Sequence, residues 1–396
     1  MDKIDELLTR RVEKIYPNRQ TLEKVLRSGK KLRLYQGFDP TGTKLHIGHM
    51  IGLMKLREFQ DLGHQVIFLI GDGTGQAGDP SGKTKARGKF LSREELRANA
   101  KNYVMQASKI VRFSGKNPAE ILYNSDWLNK LNLVEILNLA QNFSLQRLEE
   151  RDLYEERKKR NETINLREFL YPLLQAYDSV KMNVDLELGG TDQTFNMLCG
   201  RTLVKNILHK EKFVITTPLL TDSQGKKIGK TEGNVIAITA TPDEFFGMIM
   251  NLADDCIIPC FELITNIPMT TVNQIKKDLK AGKNPMIYKK QLAFTLIKML
   301  HGDKKAKQGQ EYFEKVFQGK KPPEKIKSLK TKTGKRNLVD LLVELKMASS
   351  KSEAKRLVKQ AAVEINNKTI KEYDNITIKT GDIIKVGKKR WVRISE

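Results

Sequence analysis

Two short clusters carry the residue types best suited to chemistry. The first is His46-Ile47-Gly48-His49, which holds two of the chain's five histidines where a helix is expected to begin. Helical spacing puts the two imidazoles on one face. A helix N-terminus there offers backbone N–H groups and a favourable dipole to an anion. Gly48 lets a flat ligand approach the backbone. Two imidazole donors in that place suit a phosphate that gains charge in a displacement at phosphorus. A zinc site would need Glu or His partners at ligand spacing, and none stands there.

The second cluster is Gly225-Lys226-Lys227-Ile228-Gly229-Lys230-Thr231. Lysines and a hydroxyl on a glycine-flexed loop form a mobile clamp for phosphate. A P-loop is the tempting alternative, but its first glycine is missing: Gln224 stands six before Lys230. Gly78-Asp79-Pro80-Ser81-Gly82-Lys83-Thr84 fails in the same way, with Ala77 in that position. Taken singly, each cluster also reads as a solvated surface segment.

The surrounding pattern says what must position these residues. Residues 1–28 read as an amphipathic helix, with Ile4, Leu7, Leu8, Val12 and Ile15 at helical spacing. A strand is expected at 32–37, a helix at 47–62 and an apolar strand at 66–70, which makes a parallel crossover unit. Ser92-Arg93-Glu94-Glu95 is a capping box opening another helix. Strands at 121–123, 184–188 and 213–215 alternate with helices at 127–148 and 166–180. The expected fold class is α/β, a Rossmann-like parallel sheet with helices on both faces, and ligands in such sheets bind beyond the carboxyl ends of the strands. The histidine pair follows the first parallel strand directly, at such an end. The pattern then turns helical, without strand signals, and finishes in a small α+β module. The expected boundaries are 1–236 for the catalytic domain, 237–320 for a helical domain, 321–335 for a basic linker and 336–396 for the module.

The formal net charge is +24, an electrostatic footprint that suits a polyanion such as nucleic acid, although a lysine-rich surface alone would also produce it. No apolar run is long enough for a membrane span and the start is charged, so a cytoplasmic location is expected. Cys199, Cys256 and Cys260 are too few for a disulfide framework and are expected to be buried thiols; no dedicated metal site is expected.

Together, His46-Ile47-Gly48-His49 and Lys227-Ile228-Gly229-Lys230-Thr231 resemble the two signatures of the class I aminoacyl-tRNA synthetases. Five further segments resemble the tyrosyl branch: 35–41, 78–83, 124–127, 171–178 and 189–193. The second signature keeps both lysines and a hydroxyl where the family more often has Lys-Met-Ser-Lys-Ser. After Gln193, Thr194-Phe195-Asn196 departs from the better-known bacterial branch and is closer to a second one.

The resemblance implies roles. Tyr35 and Asp178 would bond a phenolic hydroxyl, with Asn124 in the same pocket. Asp79, Tyr171 and Gln175 would cradle the substrate ammonium, and Gln193 would lie beside its carboxylate and the α-phosphate. Gly190 and Asp192 would meet the ribose; Gly37, Asp39, Thr41, His46, Gly48 and His49 would line the ATP site. Lys83 and Arg87 would grip pyrophosphate with Lys227, Lys230 and Thr231. Such carboxylates suit an ammonium, lysines suit phosphates, and a Tyr/Asp pair suits a hydroxyl that both donates and accepts.

The resemblance further implies ATP and L-tyrosine as substrates, Mg2+ accompanying ATP, tRNA(Tyr) as partner, and a homodimer meeting near residues 127–148. The segment from 338 to 360 resembles a small RNA-binding module of a ribosomal small-subunit protein, with Lys351, Lys355, Arg356 and Lys359 as a basic helical face. Residues 321–396 carry 20 lysines and arginines against 9 acids, a density suited to phosphate contacts. A tryptophanyl enzyme, a non-catalytic RNA-binding paralogue and a small-molecule adenylyltransferase are the competing readings. The Tyr35/Asp178 pair speaks against the first, the intact signatures against the second, and the basic module against the third.

Overall fold

A computed structural model of the chain describes residues 2–79, 91–149, 152–222, 224–225, 227–228, 235–315, 327–331, 333–366, 368–370, 372, 375–387 and 390–395. The chain divides into two compact units, residues 1–306 and 307–396. The expected helical domain therefore belongs, up to residue 306, to the same unit as the sheet.

The first unit is built on six strands: β1 Lys14–Tyr16, β2 Arg33–Phe38, β3 Gln65–Ile70, β4 Glu120–Tyr123, β5 Leu186–Gly190 and β6 Phe213–Thr217. Their order is β1-β6-β5-β2-β3-β4, parallel throughout except for β1, which runs antiparallel to β6 at the edge. β3 is almost wholly apolar and buried and β6 is buried throughout, as strands covered on both faces must be, while β2 buries Leu34, Tyr35 and Phe38. The chain builds outward from β2 to β4, then returns to the other side of β2 for β5 and β6. The order thus reverses between β2 and β5, and the crevice beyond their carboxyl ends is the place for a ligand.

The capping box at Ser92 forms as expected: Ser92 accepts from the Glu95 N–H, and Glu95 accepts from the Ser92 N–H. The helix Leu166–Lys181 contains Pro172, which has no N–H to give the Glu168 carbonyl one turn back. The Tyr154 hydroxyl donates to that carbonyl instead, at 3.2 Å.

Two expected helices are broken. Residues 1–28 form the short helix Lys3–Leu7, then β1, then the helix Arg19–Arg27 capped by Asn18. The left-handed φ of 62° at Arg11 turns the chain out of the first helix. Arg10 and Arg11 then donate to the carbonyls of Phe261, Glu262, Leu263 and Thr265, at and just past the end of the helix Ile257–Ile264, which lack intrahelical partners. Residues 127–148 divide into Ser125–Leu128, Leu133–Ala140 and Leu145–Glu149, because Asn132 caps a fresh helix with Glu135.

In the second unit the expected linker is partly structure. Lys327–Lys330 pairs in parallel with Arg390–Ser395, and Gly334–Asn337 pairs antiparallel with Asn375–Ile378. The helices Leu338–Glu344 and Lys351–Lys359 pack on the larger sheet through Leu338, Leu342, Val358, Val363 and Ile384. Ser350 caps the second of them.

Candidate active site

The crevice between β2 and β5 holds a cavity of about 300 Å³, in the range of small-molecule sites. Every described residue to which the sequence assigns tyrosine or ATP lies on its wall. Lys83, Arg87, Lys230 and Thr231 lie outside the described residues. The four basic residues of the second unit, Lys351, Lys355, Arg356 and Lys359, are all exposed on the helix Lys351–Lys359.

His46 caps and His49 closes a short 3-10 turn, Ile47–His49, that leads into the helix Met50–Asp61. The His46 Nδ1 accepts the Gly48 N–H at 3.2 Å, and the His49 Nδ1 accepts the His46 N–H at 3.1 Å. With Nδ1 used as acceptor, the proton of each neutral ring lies on Nε2, so both rings are N–H donors. The ring centroids are 3.9 Å apart. A side chain at Gly48 would crowd the His46 ring, 3.0 Å from the Cβ position. The backbone ties this turn to the segment after the second signature: Ile47 N–H donates to the Ile236 carbonyl at 3.0 Å, and Ile238 N–H to the Leu45 carbonyl at 3.1 Å.

Lys227 lies across the cleft. Its ammonium meets the Asp192 carboxylate at 3.0 Å, joining the described lysine of the second signature to the residue expected at the ribose. Gly190 keeps that carboxylate close, since a Cβ there would fall 2.7 Å from Asp192 Oδ1. Gln193 donates to Asp79 at 2.8 Å and accepts from Asn196 at 3.0 Å, which sets its amide orientation.

At the other end lie Asp39 and Asp178. Asp39 accepts from the Thr74 hydroxyl at 2.7 Å and the Tyr171 hydroxyl at 3.0 Å. Asp178 accepts from Asn124 at 2.9 Å and from the Trp127 indole at 2.7 Å. Burial pushes the Asp178 carboxyl well above the usual carboxylate range; the Asn124 and Trp127 donors work against that shift, and Glu187 and Asp39 add to it. Tyr35 is buried beside it, and desolvation with the charges of Glu187 and Asp178 raises its phenol. In this structure the Tyr35 hydroxyl bonds Ser179 at 2.9 Å rather than Asp178.

Sequence reasoning passes over several residues here. Thr74 and Glu187 line the cavity, while Ser179, Trp127, Asn196 and Lys212 stand behind it. Trp127 ends one segment already singled out and Ser179 adjoins another, but nothing in the sequence marks their partners. Among the described residues no cluster of three His, Cys, Asp or Glu side chains could hold a metal, and the three cysteines are buried and form no disulfide.

Comparison with known proteins shows the family. The profile of the family described as tRNA synthetases class I (W and Y) matches residues 27–318, and that of the Tyrosine--tRNA ligase SYY-like C-terminal domain matches residues 318–394. A Tyrosine--tRNA ligase of Dehalococcoides mccartyi is 40% identical over 393 residues, covering 98% of each chain. One from Thermotoga maritima is also 40% identical, covering 98% of this chain and 96% of its own. Among solved structures, a C-terminally truncated mitochondrial tyrosyl-tRNA synthetase of Aspergillus nidulans shares the fold with a TM-score of 0.67 at 24% identity, over 80% of this chain and 94% of that one.

The Asp178 carboxylate supplies a test of how the pocket is held. Trp127→Phe removes one donor to it and should lower stability by about 1.5–3 kcal/mol beyond any packing loss. The Trp127 bond favours the ionised carboxylate, so this component is present above the folded-state pKa and is lost as pH falls through it. Thermal unfolding followed across the range in which Asp178 titrates should therefore show a deficit that grows as pH rises through its elevated folded-state pKa; a deficit independent of pH would contradict the assignment.

Proposed function

Since the chain belongs to the class I tRNA synthetases for tryptophan and tyrosine and acts as a tyrosine–tRNA ligase, we propose a division of labour among its residues. ATP is the co-substrate. In the first half-reaction a carboxylate oxygen of tyrosine attacks the α-phosphorus, and the bond from that phosphorus to pyrophosphate breaks. In the second, a hydroxyl of the 3′-terminal ribose of tRNA(Tyr) attacks the tyrosyl carbonyl and AMP leaves. Neither step needs a covalent bond to the protein, so orientation and electrostatics carry the catalysis.

The observation that carries the tyrosine reading is the buried Asp178 carboxylate beside the Tyr35 phenol. Asn124 and Trp127 each donate to one carboxylate oxygen and leave acceptor capacity on both for a further donor. A substrate phenol donates to Asp178 and accepts from Tyr35; an indole N–H offers no acceptor. Asp79, Tyr171, Gln175 and Gln193 take the amino and carboxyl groups. His46 and His49 donate through Nε2 to the phosphate as charge develops. Gly37, Asp39, Thr41, Gly48, Gly190 and Asp192 receive ATP, and Lys227, with Lys83, Arg87, Lys230 and Thr231, holds the departing pyrophosphate. Magnesium enters with the ATP phosphates as part of the substrate, and the site works where tRNA is charged, in the cytoplasm.

Two partner surfaces complete the reading. Leu133, Val134 and Leu137 on the helix Leu133–Ala140, with Leu145 five residues further along the chain, are large apolar side chains left mostly exposed, which supports a homodimer. The exposed Lys351, Lys355, Arg356 and Lys359 support RNA-phosphate binding by the second unit.

Tyrosine alone, of the twenty amino acids, should support ATP–pyrophosphate exchange. Phenylalanine should fall behind by at least about 10²-fold, because it leaves buried polar groups unpaired; comparable rates would overturn the assignment. Leu137→Glu should convert a dimer to monomers in sedimentation, and a native chain that is already monomeric at micromolar concentration would defeat the dimer. Deleting residues 321–396 should spare tyrosine-dependent exchange but weaken tRNA charging and flatten the salt dependence of tRNA binding. Full charging with an unchanged salt slope would mean that the RNA contacts lie elsewhere.

A further inference from the structure

A lysine lies at the back of the amino-acid pocket, out of reach of solvent. Lys212 is 0% exposed and Glu187 only 2%. The Lys212 ammonium bonds the Glu187 Oε2, donates to the Ser179 hydroxyl at 2.7 Å, and approaches the Met197 carbonyl at 3.4 Å. All three of its N–H donors are thus used inside the wall.

Each partner passes the constraint on. Glu187 accepts the Gln175 side-chain N–H at 2.9 Å. That turns the Gln175 amide nitrogen toward Glu187 and leaves its oxygen as an acceptor suited to an ammonium. Ser179 bonds the Tyr35 hydroxyl at 2.9 Å. Register adds to the link, since Tyr35 of β2 lies directly beside Glu187 of β5. The space is made by Gly200 on the helix Thr194–Leu208: a Cβ there would fall 2.4 Å from the Lys212 Nζ and 2.9 Å from the Ser179 Oγ.

We infer that Lys212 is a positioning residue for amino-acid selection, setting Gln175 through Glu187 and the Tyr35 hydroxyl through Ser179. The inference rests on the reading of Tyr35 and Gln175 as tyrosine contacts. Stability alone gives little reason for such a pair, because a well-packed apolar replacement of a buried ion pair is often as stable. What an apolar pair would lack is the fixed direction of two side chains that reach the ligand.

Tyrosine-dependent pyrophosphate exchange by the full chain tests this. Lys212→Met should raise the KM for tyrosine about tenfold or more, the scale of losing a hydrogen bond to a charged group. The KM for ATP should stay within about twofold, since the loss concerns tyrosine binding only. Discrimination against phenylalanine should fall with it. Lys212→Met/Glu187→Gln removes both charges, keeps an acceptor for Gln175, and should recover most of the tyrosine affinity. Ser179→Ala cuts only the branch to Tyr35; it should reduce discrimination without the ion pair being touched, and it serves if Lys212→Met does not fold. Folded Lys212→Met and Ser179→Ala proteins with native tyrosine KM and discrimination would overturn the inference. So would equal rises in both KM values, or a double variant no better than Lys212→Met. If Tyr35→Phe and Asp178→Asn also leave discrimination intact, the tyrosine pocket itself is misassigned; if they abolish it, the failure belongs to Lys212 alone.

Discussion

Three carboxylates, those of Asp39, Asp178 and Glu187, are drawn into one cavity wall beside the central strand of the sheet, and the rest of the unit is arranged to satisfy them. A buried carboxylate without donors costs several kcal/mol. The donors here arrive from separate places in the chain. Thr74 comes from the turn after β3, and Asn124 and Trp127 from the segment after β4. Tyr171 and Gln175 come from the helix Leu166–Lys181, and Lys212 from the approach to β6. A shift of any one of these leaves a carboxylate with one hydrogen bond fewer. The pocket is therefore rigid for the same reason that it is polar.

The second constraint is carried by the backbone. The histidine turn and the segment following the lysine loop pair through Ile47 with Ile236 and Ile238 with Leu45. Two clusters far apart in sequence thereby face one cleft, and the imidazoles spend their Nδ1 atoms on the local backbone. Side-chain direction at the phosphate end is thus set by main-chain groups, which are harder to move than side chains. At the amino-acid end it is set by the carboxylate network. The Lys227–Asp192 contact spans the ground between them.

The parallel sheet, its crossover units and the capping boxes were legible because each rests on local rules: apolar runs for buried strands, Ser or Asn three residues before Glu for helix starts. Many residues lining the cavity were legible as well, because the motifs that contain them are contiguous; Thr74 and Glu187, outside those motifs, were not. A local cap at Asn132 broke the helix expected at 127–148; elsewhere, where the reading broke, a distant partner had intervened. The helical period of residues 1–28 is real, yet Ile15 gains more by pairing with Ile215 at the sheet edge, and Arg10 and Arg11 are drawn to carbonyls on a helix much later in the chain. The strand Lys327–Lys330, lysine-rich and adjacent to a Pro-Pro pair, carries no apolar alternation; its place comes from Arg390–Ser395 beside it.

The same division holds at the site. Residue identity by itself determined the chemistry on offer: imidazoles and lysines for phosphate, carboxylates for an ammonium, and a phenol with a carboxylate for a hydroxyl. It also determined the α/β frame, since hydrophobic period and turn residues act over a few neighbours. Only the tertiary structure decided which hydrogen-bonding capacity each group has left for a ligand. Asp178 is half satisfied by Asn124 and Trp127, and Tyr35 leans on Ser179. Lys212, which no motif marks, occupies space that Gly200 leaves open. Burial and pairing depend on atoms brought together by the whole fold, and at the point where a lysine or an aspartate leaves water, its neighbours in space outweigh its neighbours in sequence.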